Sequence, residues 1–330
     1  MGSQLSSVVL QPLGPPVSMR KSYGQALVEL GKLQENVVVL SADVSNSDHS
    51  WMFAEEYPER FFDVGIAEQA LVDVAAGFAY SGKIPIANTF AFLFATRALE
   101  QVRTHLCYGE ANVKLAGAYA GLSDSFDGPT HHSITDLSTM RCLPRMTVVV
   151  PADPQSLPQF LSEIISWPGP VYMRLCRNEV PVLFTEAYTP KIGKAVLLRE
   201  GGELTIVCCG VMVSRSLEAA ERLAEEGIES TVMEMHTIKP LDREAIVEAA
   251  ERTGAIVTVE EHSIIGGLGG AVAEVLGGGH PVPLERVGID DRFAETGPYD
   301  RLLDKYGLGV TDILEASKRV LARKSQQAKQ

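Results

Sequence analysis

The sequence predicts an α/β protein of two domains, each built on a mostly parallel sheet flanked by helices. Three observations carry this. Short, continuous, β-branched runs such as Val37-Val38-Val39-Leu40 read as strands buried on both faces. Between such runs lie segments with apolar residues at helical spacing, such as Ala26, Leu27, Leu30 and Leu33. This alternation lapses over 186–202 and then resumes, and 330 residues suffice for two cores.

Residues 1–17 are rich in Ser, Pro and Gln, lack periodicity, and read as a mobile leader. A helix over 22–34 leads into the strand at 37–40. Helix 67–80 precedes a strand near 84–87, and helix 95–106 precedes one near 113–118. A strand at 147–150 runs into Pro151, and helix 154–166 precedes a strand at 171–175. Pro190, Gly193 and the pair Gly201-Gly202 mark 189–202 as a linker. The second unit has strands near 204–208, 230–234, 255–259 and 284–288. Its helices fall near 213–226, 242–252, 268–276 and 311–323.

A net charge of -13 argues against a nucleic-acid or anionic-membrane surface. No apolar run is long enough to span a bilayer, and the N-terminus lacks the blocks of a secretory signal. Met1, Gly2 and Ser6 match the short myristoylation pattern, but the pattern is weak and a plain flexible leader accounts for them far better. The five cysteines are odd in number and contain no CxxC. That pattern opposes a disulfide framework or a zinc site and fits a reducing cytoplasm.

Ligands of parallel α/β sheets sit outside the carboxyl ends of the strands, so the loops there hold the candidate chemistry. These loops are Ser41-Ala42-Asp43, 63–69, 89–94 and 120–132. They offer an isolated carboxylate (Glu68), an aromatic cluster, and an Asp/His pair in a Gly/Pro turn. Aromatic rings can wall a flat heterocycle. A carboxylate can pass a proton to a ring nitrogen, and an Asp/His pair can grip hydroxyls and move protons. The adjacent His131-His132 make a poor metal site, because neighbouring histidines do not converge on one ion. The run Gly266–Gly270 opens a predicted helix, but Val272 breaks the GxGxxG spacing, so it reads as a tight turn.

Four runs in order, DVGIAEQ (63–69), TFAFLFATRALEQVR (89–103), DGPTHH (127–132) and HTIKPLD (236–242), resemble the transketolase family. The resemblance covers nearly all of 20–325. It implies a thiamine-diphosphate-binding pyrimidine domain over 18–188 and a transketolase C-terminal domain over 203–325. It implies that Glu68 binds the aminopyrimidine of thiamine diphosphate and protonates it. Phe90 matches one pyrimidine-stacking ring; the second falls on Phe92 or Phe94, with Phe94 preferred. Asp43 joins the cofactor-side residues. Asp127 and His131 are implied to meet the donor sugar, with His132 beside them. Arg177 and Ser47 match substrate-phosphate contacts. Tyr119 stands where the family has a histidine, and Phe126 where it has an acid.

The implied reaction is two-carbon ketol transfer from a ketose phosphate to an aldose acceptor. The family's Gly-Asp-Gly and paired Asn, which hold Mg2+ and the diphosphate, are absent from the sequence. The expectation is therefore a partner chain that carries the Mg2+ ligands, joined with this one across a two-fold axis as a heterotetramer. Three rivals share parts of the pattern. One is the beta subunit of a 2-oxoacid dehydrogenase decarboxylase, which DGPTH and HTIKPLD disfavour. Another is a deoxyxylulose-phosphate synthase half, suggested by GIAEQ. The third is a non-catalytic regulatory subunit, which the joint presence of Glu68, Asp127 and His131 opposes.

Overall fold

A computed structural model describes Leu10 and residues 14–327 of the chain. Met1, Gly2 and Ser6 lie outside the described residues. In chain order the strands are β1 (Val17–Ser18), β2 (Val37–Ser41), β3 (Phe61–Asp63), β4 (Ile84–Phe90), β5 (Lys114–Ala118), β6 (Thr147–Val149), β7 (Val171–Arg174), β8 (Glu179–Val180), β9 (Val196–Arg199), β10 (Leu204–Cys208), β11 (Ser230–Glu234), β12 (Thr237–Lys239), β13 (Ile256–Ser263) and β14 (Leu284–Ile289). Seven form a sheet in the order β12-β6-β7-β5-β4-β2-β3, and five form a second in the order β14-β13-β10-β11-β9. Pairing in these two sheets is parallel except where β12 joins β6 and β9 joins β11 at the sheet edges.

The strand residues alternate between two hydrophobic clusters, as a pleated strand with both faces covered requires. Val37 and Val39 join one cluster with Leu27 and Phe160; Val38 and Leu40 join the other with Leu71 and Ala75. In the second sheet Ile206 and Cys208 face the first cluster, and Val207 and Cys209 the second. The first helix, Met19–Leu33, is capped by the Ser18 side chain, which accepts from the Lys21 N–H.

Several expected elements differ. The helix expected over 95–106 is broken into Ala91–Ala95, Leu99–Gln101 and a π-helix over Val102–Tyr108. The expected linker contains β9, which binds the edge of β11. The expected leader ends in β1, paired with β8, and Leu10 bridges Phe184. Within HTIKPLD, β12 leaves the second unit and completes the first sheet.

The Gly266–Gly270 turn opens the helix Leu268–Gly277, and its anion is internal. The buried Glu260 carboxylate accepts from the Leu268 and Gly269 N–H groups at 2.6 and 2.8 Å. Any Cβ at Gly267 would collide with that carboxylate.

A second buried cluster ties the two units together. Arg174 donates from Nε to Asp136 Oδ2 at 2.8 Å, and from Nη2 to the carbonyls of Ser133 and Glu261. Tyr172 donates its hydroxyl to the same Asp136 oxygen. Burial pushes Asp136 upward, yet Arg174 outweighs it and holds the carboxyl below its usual value.

Four other carboxyls are shifted the opposite way. Burial raises Asp48 and Glu261 to about 7 and Glu234 to about 8. Burial, with Asp127 beside it, raises Asp124 to about 7. Their unfolded values are 3.8 and 4.5. Between these limits the folded chain holds protons that the unfolded chain has released, so stability falls as pH rises through about 7. His49, His132 and His236, each lowered chiefly by burial, oppose this only below 6.5. Lys114, lowered by burial to about 7, opposes it above that pH. The Tm is therefore expected to drop between about pH 6.5 and about pH 7.5, and less so in Glu234→Gln. Scanning calorimetry of both proteins measures this; parallel slopes would remove Glu234 from the account.

Candidate active site

The register of the first sheet gathers the site at the carboxyl ends of five neighbouring strands, β7, β5, β4, β2 and β3. Ser41 pairs with Asp63 and Asn88, Phe90 with Ala118, and Gly117 with Arg174. The residues just past those ends are Asp43, Glu68, Phe92, Tyr119 and Arg177, so five loops far apart in sequence meet. Asp63 Oδ1 accepts from the Asp43 and Gly65 N–H groups and ties two of these loops together. Asp43 and Tyr119 both adopt left-handed backbone, at φ 58° and 59°. Such backbone in non-glycine residues marks a locally constrained segment. The Asp43 side chain itself is exposed.

Glu68 opens the helix Glu68–Tyr80 and is 2% exposed. Both of its oxygens accept from Arg97 Nη1, at 3.2 and 3.1 Å, and Arg97 is half exposed. A buried carboxylate needs such a partner. Arg97 escapes sequence reading because its role is set by the broken helix, not by helical spacing.

The aromatic wall is made by Phe90, Phe92 and Tyr119. Phe90 stacks on Tyr119 with centroids 4.8 Å apart, and both Phe90 and Phe92 meet the His131 ring edge-on. Phe94, the preferred second ring, is fully enclosed in the core with Leu71, Leu106 and Leu115. The reason is local. After Phe90 the chain turns at once into the short helix Ala91–Ala95, which aims Phe94 inward and leaves Phe92 half-buried beside His131.

Two cations converge on Tyr119. The Arg177 guanidinium lies 4.8 Å from the ring centre, on the geometry of a cation–π contact. Arg20 donates to the Tyr119 hydroxyl at 3.2 Å, to the Ser47 carbonyl at 2.9 Å, and to the Arg177 carbonyl at 3.0 Å. Tyr119 in turn donates to the Ser47 carbonyl. Ser47 thus enters through its backbone. Arg20 is absent from the motifs, but one signal exists: it sits in the first turn of Met19–Leu33, where a cation opposes the helix dipole.

The DGPTHH loop carries the remaining groups. Asp127 is exposed, with Oδ2 3.9 Å from Arg177 Nη1. His131 Nδ1 is hydrogen-bonded to Thr130 Oγ1 at 3.0 Å. His132 is buried, its imidazole is held below the ordinary value mainly by burial, and neither ring nitrogen has a hydrogen-bond partner among the described residues. Phe126 projects into solvent, 66% exposed. Asp124, which no motif contains, is fully buried and accepts from Arg177 Nη1 at 2.8 Å.

Comparisons with known proteins identify the family. Residues 15–182 match the model of the transketolase pyrimidine binding domain, and residues 193–313 that of the transketolase C-terminal domain. The chain belongs to the transketolase family. It is 42% identical over 307 residues to the 6-deoxy-6-sulfo-D-fructose transketolase subunit SqwH of Clostridium sp. (strain MSTE9), covering 93% of this chain and 95% of that one. It is 38% identical over 302 residues to a subunit of the apulose-4-phosphate transketolase of Phocaeicola vulgatus, covering 91% and 96%. Among solved structures it superposes with TM-score 0.88 on a split gene transketolase, an inactive beta4 tetramer, at 46% identity and with 93% and 99% coverage.

The family domains imply thiamine diphosphate, and the residues present fit one end of it. Glu68 is a buried carboxylate, and Phe90 and Phe92 are half-buried rings at the carboxyl end of the same sheet; these are the kinds of group a flat aminopyrimidine needs. For the diphosphate and its metal, no group of three His, Cys, Asp or Glu converges among the described residues. No helix among them is long and apolar enough to cross a membrane.

The contrast between the two candidate rings is measurable. Phe94→Ala should cost about 3–5 kcal/mol of stability by emptying core space. Phe92→Ala should stay within about 1 kcal/mol, because the ring is only half-buried. Urea unfolding midpoints give both numbers, and equal losses would contradict this placement.

Proposed function

We propose that this chain is the C-terminal section of a split transketolase, moving a two-carbon ketol unit from an anionic ketose to an aldose acceptor. The observation that carries this is Glu68, a buried carboxylate paired with Arg97, on a sheet whose carboxyl end also carries the stack of Phe90, Tyr119 and Arg177, with Asp127 and His131 against it. In this reading 18–188 is the pyrimidine-binding domain and 203–325 the C-terminal domain. Thiamine diphosphate supplies the electron sink for breaking and making the carbon–carbon bond.

The chain's own residues then have separate tasks. Phe90 and Phe92 hold the pyrimidine ring flat and exclude water. Glu68 would hold a proton, taken up from solvent once Arg97 releases its carboxylate, against the ring nitrogen. His131, edge-on to both rings, is placed to hand a proton to or from the sugar oxygen nearest the wall. Asp127 orients sugar hydroxyls. Arg177 and Arg20 receive the far, anionic end. A sulfonated ketose and a sugar phosphate, the compounds named in the two relatives, share such an end.

The Mg2+ and diphosphate ligands belong, in this proposal, to a partner chain, with two copies of each chain forming a heterotetramer across a two-fold axis. The beta4 assembly of the solved relative supports self-association of this half. Five cysteines without a disulfide among the described residues support a cytoplasmic setting.

Glu68→Gln, reconstituted with the partner, should lose about 10²-fold or more in kcat, the size of a general-acid contribution. Circular dichroism should show an unchanged fold. Arg177→Ala should raise KM for phosphorylated or sulfonated sugars roughly 10- to 150-fold, the loss of about 1.5–3 kcal/mol of charged hydrogen bonding, and far less for uncharged sugars. Near wild-type turnover in the first variant, or equal effects on both sugar classes in the second, would refute the respective role. The chain alone should show no tight thiamine diphosphate binding in calorimetry; micromolar binding would overturn the split assignment.

A further inference from the structure

Asp124 has no part in the mechanism above, yet it is the carboxylate closest to the cation that takes the substrate's anion. It is 0% exposed, and its Oδ1 accepts from Arg177 Nη1 at 2.8 Å. Its other oxygen, Oδ2, meets no donor among the described residues. The neighbouring Asp127 carboxyl, whose Oδ2 lies 3.9 Å from the same Arg177 Nη1, adds to burial in disfavouring the charged form of Asp124. The Arg177 backbone N–H is also anchored from this loop, donating to Ser123 Oγ at 3.1 Å. One edge of the guanidinium is therefore committed to Asp124, and one face to the Tyr119 ring.

We propose that Asp124 is a positioning residue that aims Arg177 and, by gaining or losing its proton, sets how strongly the site binds a substrate's terminal anion. The proposal rests on the reading that Arg177 receives that anion. With Asp124 protonated, Arg177 keeps its full charge for the incoming group. With Asp124 ionised, the same guanidinium is already neutralised, and a second anion must enter beside a carboxylate. Burial and the neighbouring Asp127 place this change at about 7, against the pull of Arg177. The other groups facing the pair are Arg20, which holds the Arg177 carbonyl, and His132, whose ring lies against the Asp124 backbone. Binding of the anion should therefore weaken as pH rises through neutrality.

Sulfate is the suitable probe, because its own charge does not change over this range. Calorimetric titration of the full chain with sulfate, from about pH 6 to about pH 8.5, should show affinity falling about three- to tenfold, the effect of one partly screened charge. Asp124→Asn should flatten this profile and match the wild type at the acid end. Asp127→Asn should keep the step but move it to lower pH, since the neighbour that raises Asp124 is gone. Arg177→Ala should abolish sulfate binding at every pH. A wild-type profile that Asp124→Asn leaves unchanged would overturn the proposal while leaving Arg177 as the anion site. Should Asp124→Asn not fold, an unmoved step in Asp127→Asn would overturn it equally. Sulfate binding that survives Arg177→Ala would refute the anion reading on which it stands.

Discussion

The arrangement of the site depends on one buried guanidinium. Arg174 is 5% exposed and holds Asp136, the Ser133 carbonyl and the Glu261 carbonyl at once. These belong to the end of β7, the segment after the DGPTHH loop, and the end of β13 in the second unit. The stretch leading into the same loop is fixed from the other side. The Leu122 N–H donates to Glu261 Oε1 at 2.8 Å, and Gly121, at φ 62°, packs so close to that carboxylate that no Cβ would fit. The loop thus hangs between two anchors, both reaching into the second unit. Breaking a buried pair of this kind typically costs about 3–5 kcal/mol, because the orphaned charge stays inside.

Within the site, one stack connects the aromatic end to the cationic end. Phe90, Tyr119 and Arg177 lie one against the next, and Tyr119 also binds Arg20 and the Ser47 carbonyl through its hydroxyl. A histidine at position 119 would be shorter and could carry charge of its own. With tyrosine, the positive charge comes from the two arginines, and Asp124 offsets part of it. The balance of charge at this end is thus set in large part by Arg20 and Asp124, two residues outside every motif.

What is legible in the sequence follows from what is local. The β-branched runs buried on both faces, such as Val37–Ser41, are readable because burial on two sides leaves a continuous apolar signature. The positions of Glu68, Phe90 and Asp127 near strand ends are readable because they sit in recognisable runs. Phe94 misleads because spacing along one chain cannot tell which ring a five-residue helix turns inward. Arg20, Arg97 and Asp124 stay invisible because their partners lie 157, 29 and 53 residues away. The edge strand β9 reads as linker because it is short and only partly buried.

The position of β12 bears on how the chain is made. The first sheet ends at β6, whose outer edge is covered by residues 237–239, some ninety positions later in the chain. A ribosome that has released only the first unit has therefore produced a sheet with an open edge, the kind of surface that invites pairing between neighbouring nascent chains. Covering that edge must wait until β10 and β11 have emerged, because β12 follows directly from β11. The two units are consecutive in sequence, yet the earlier one is completed only by the synthesis of the later one.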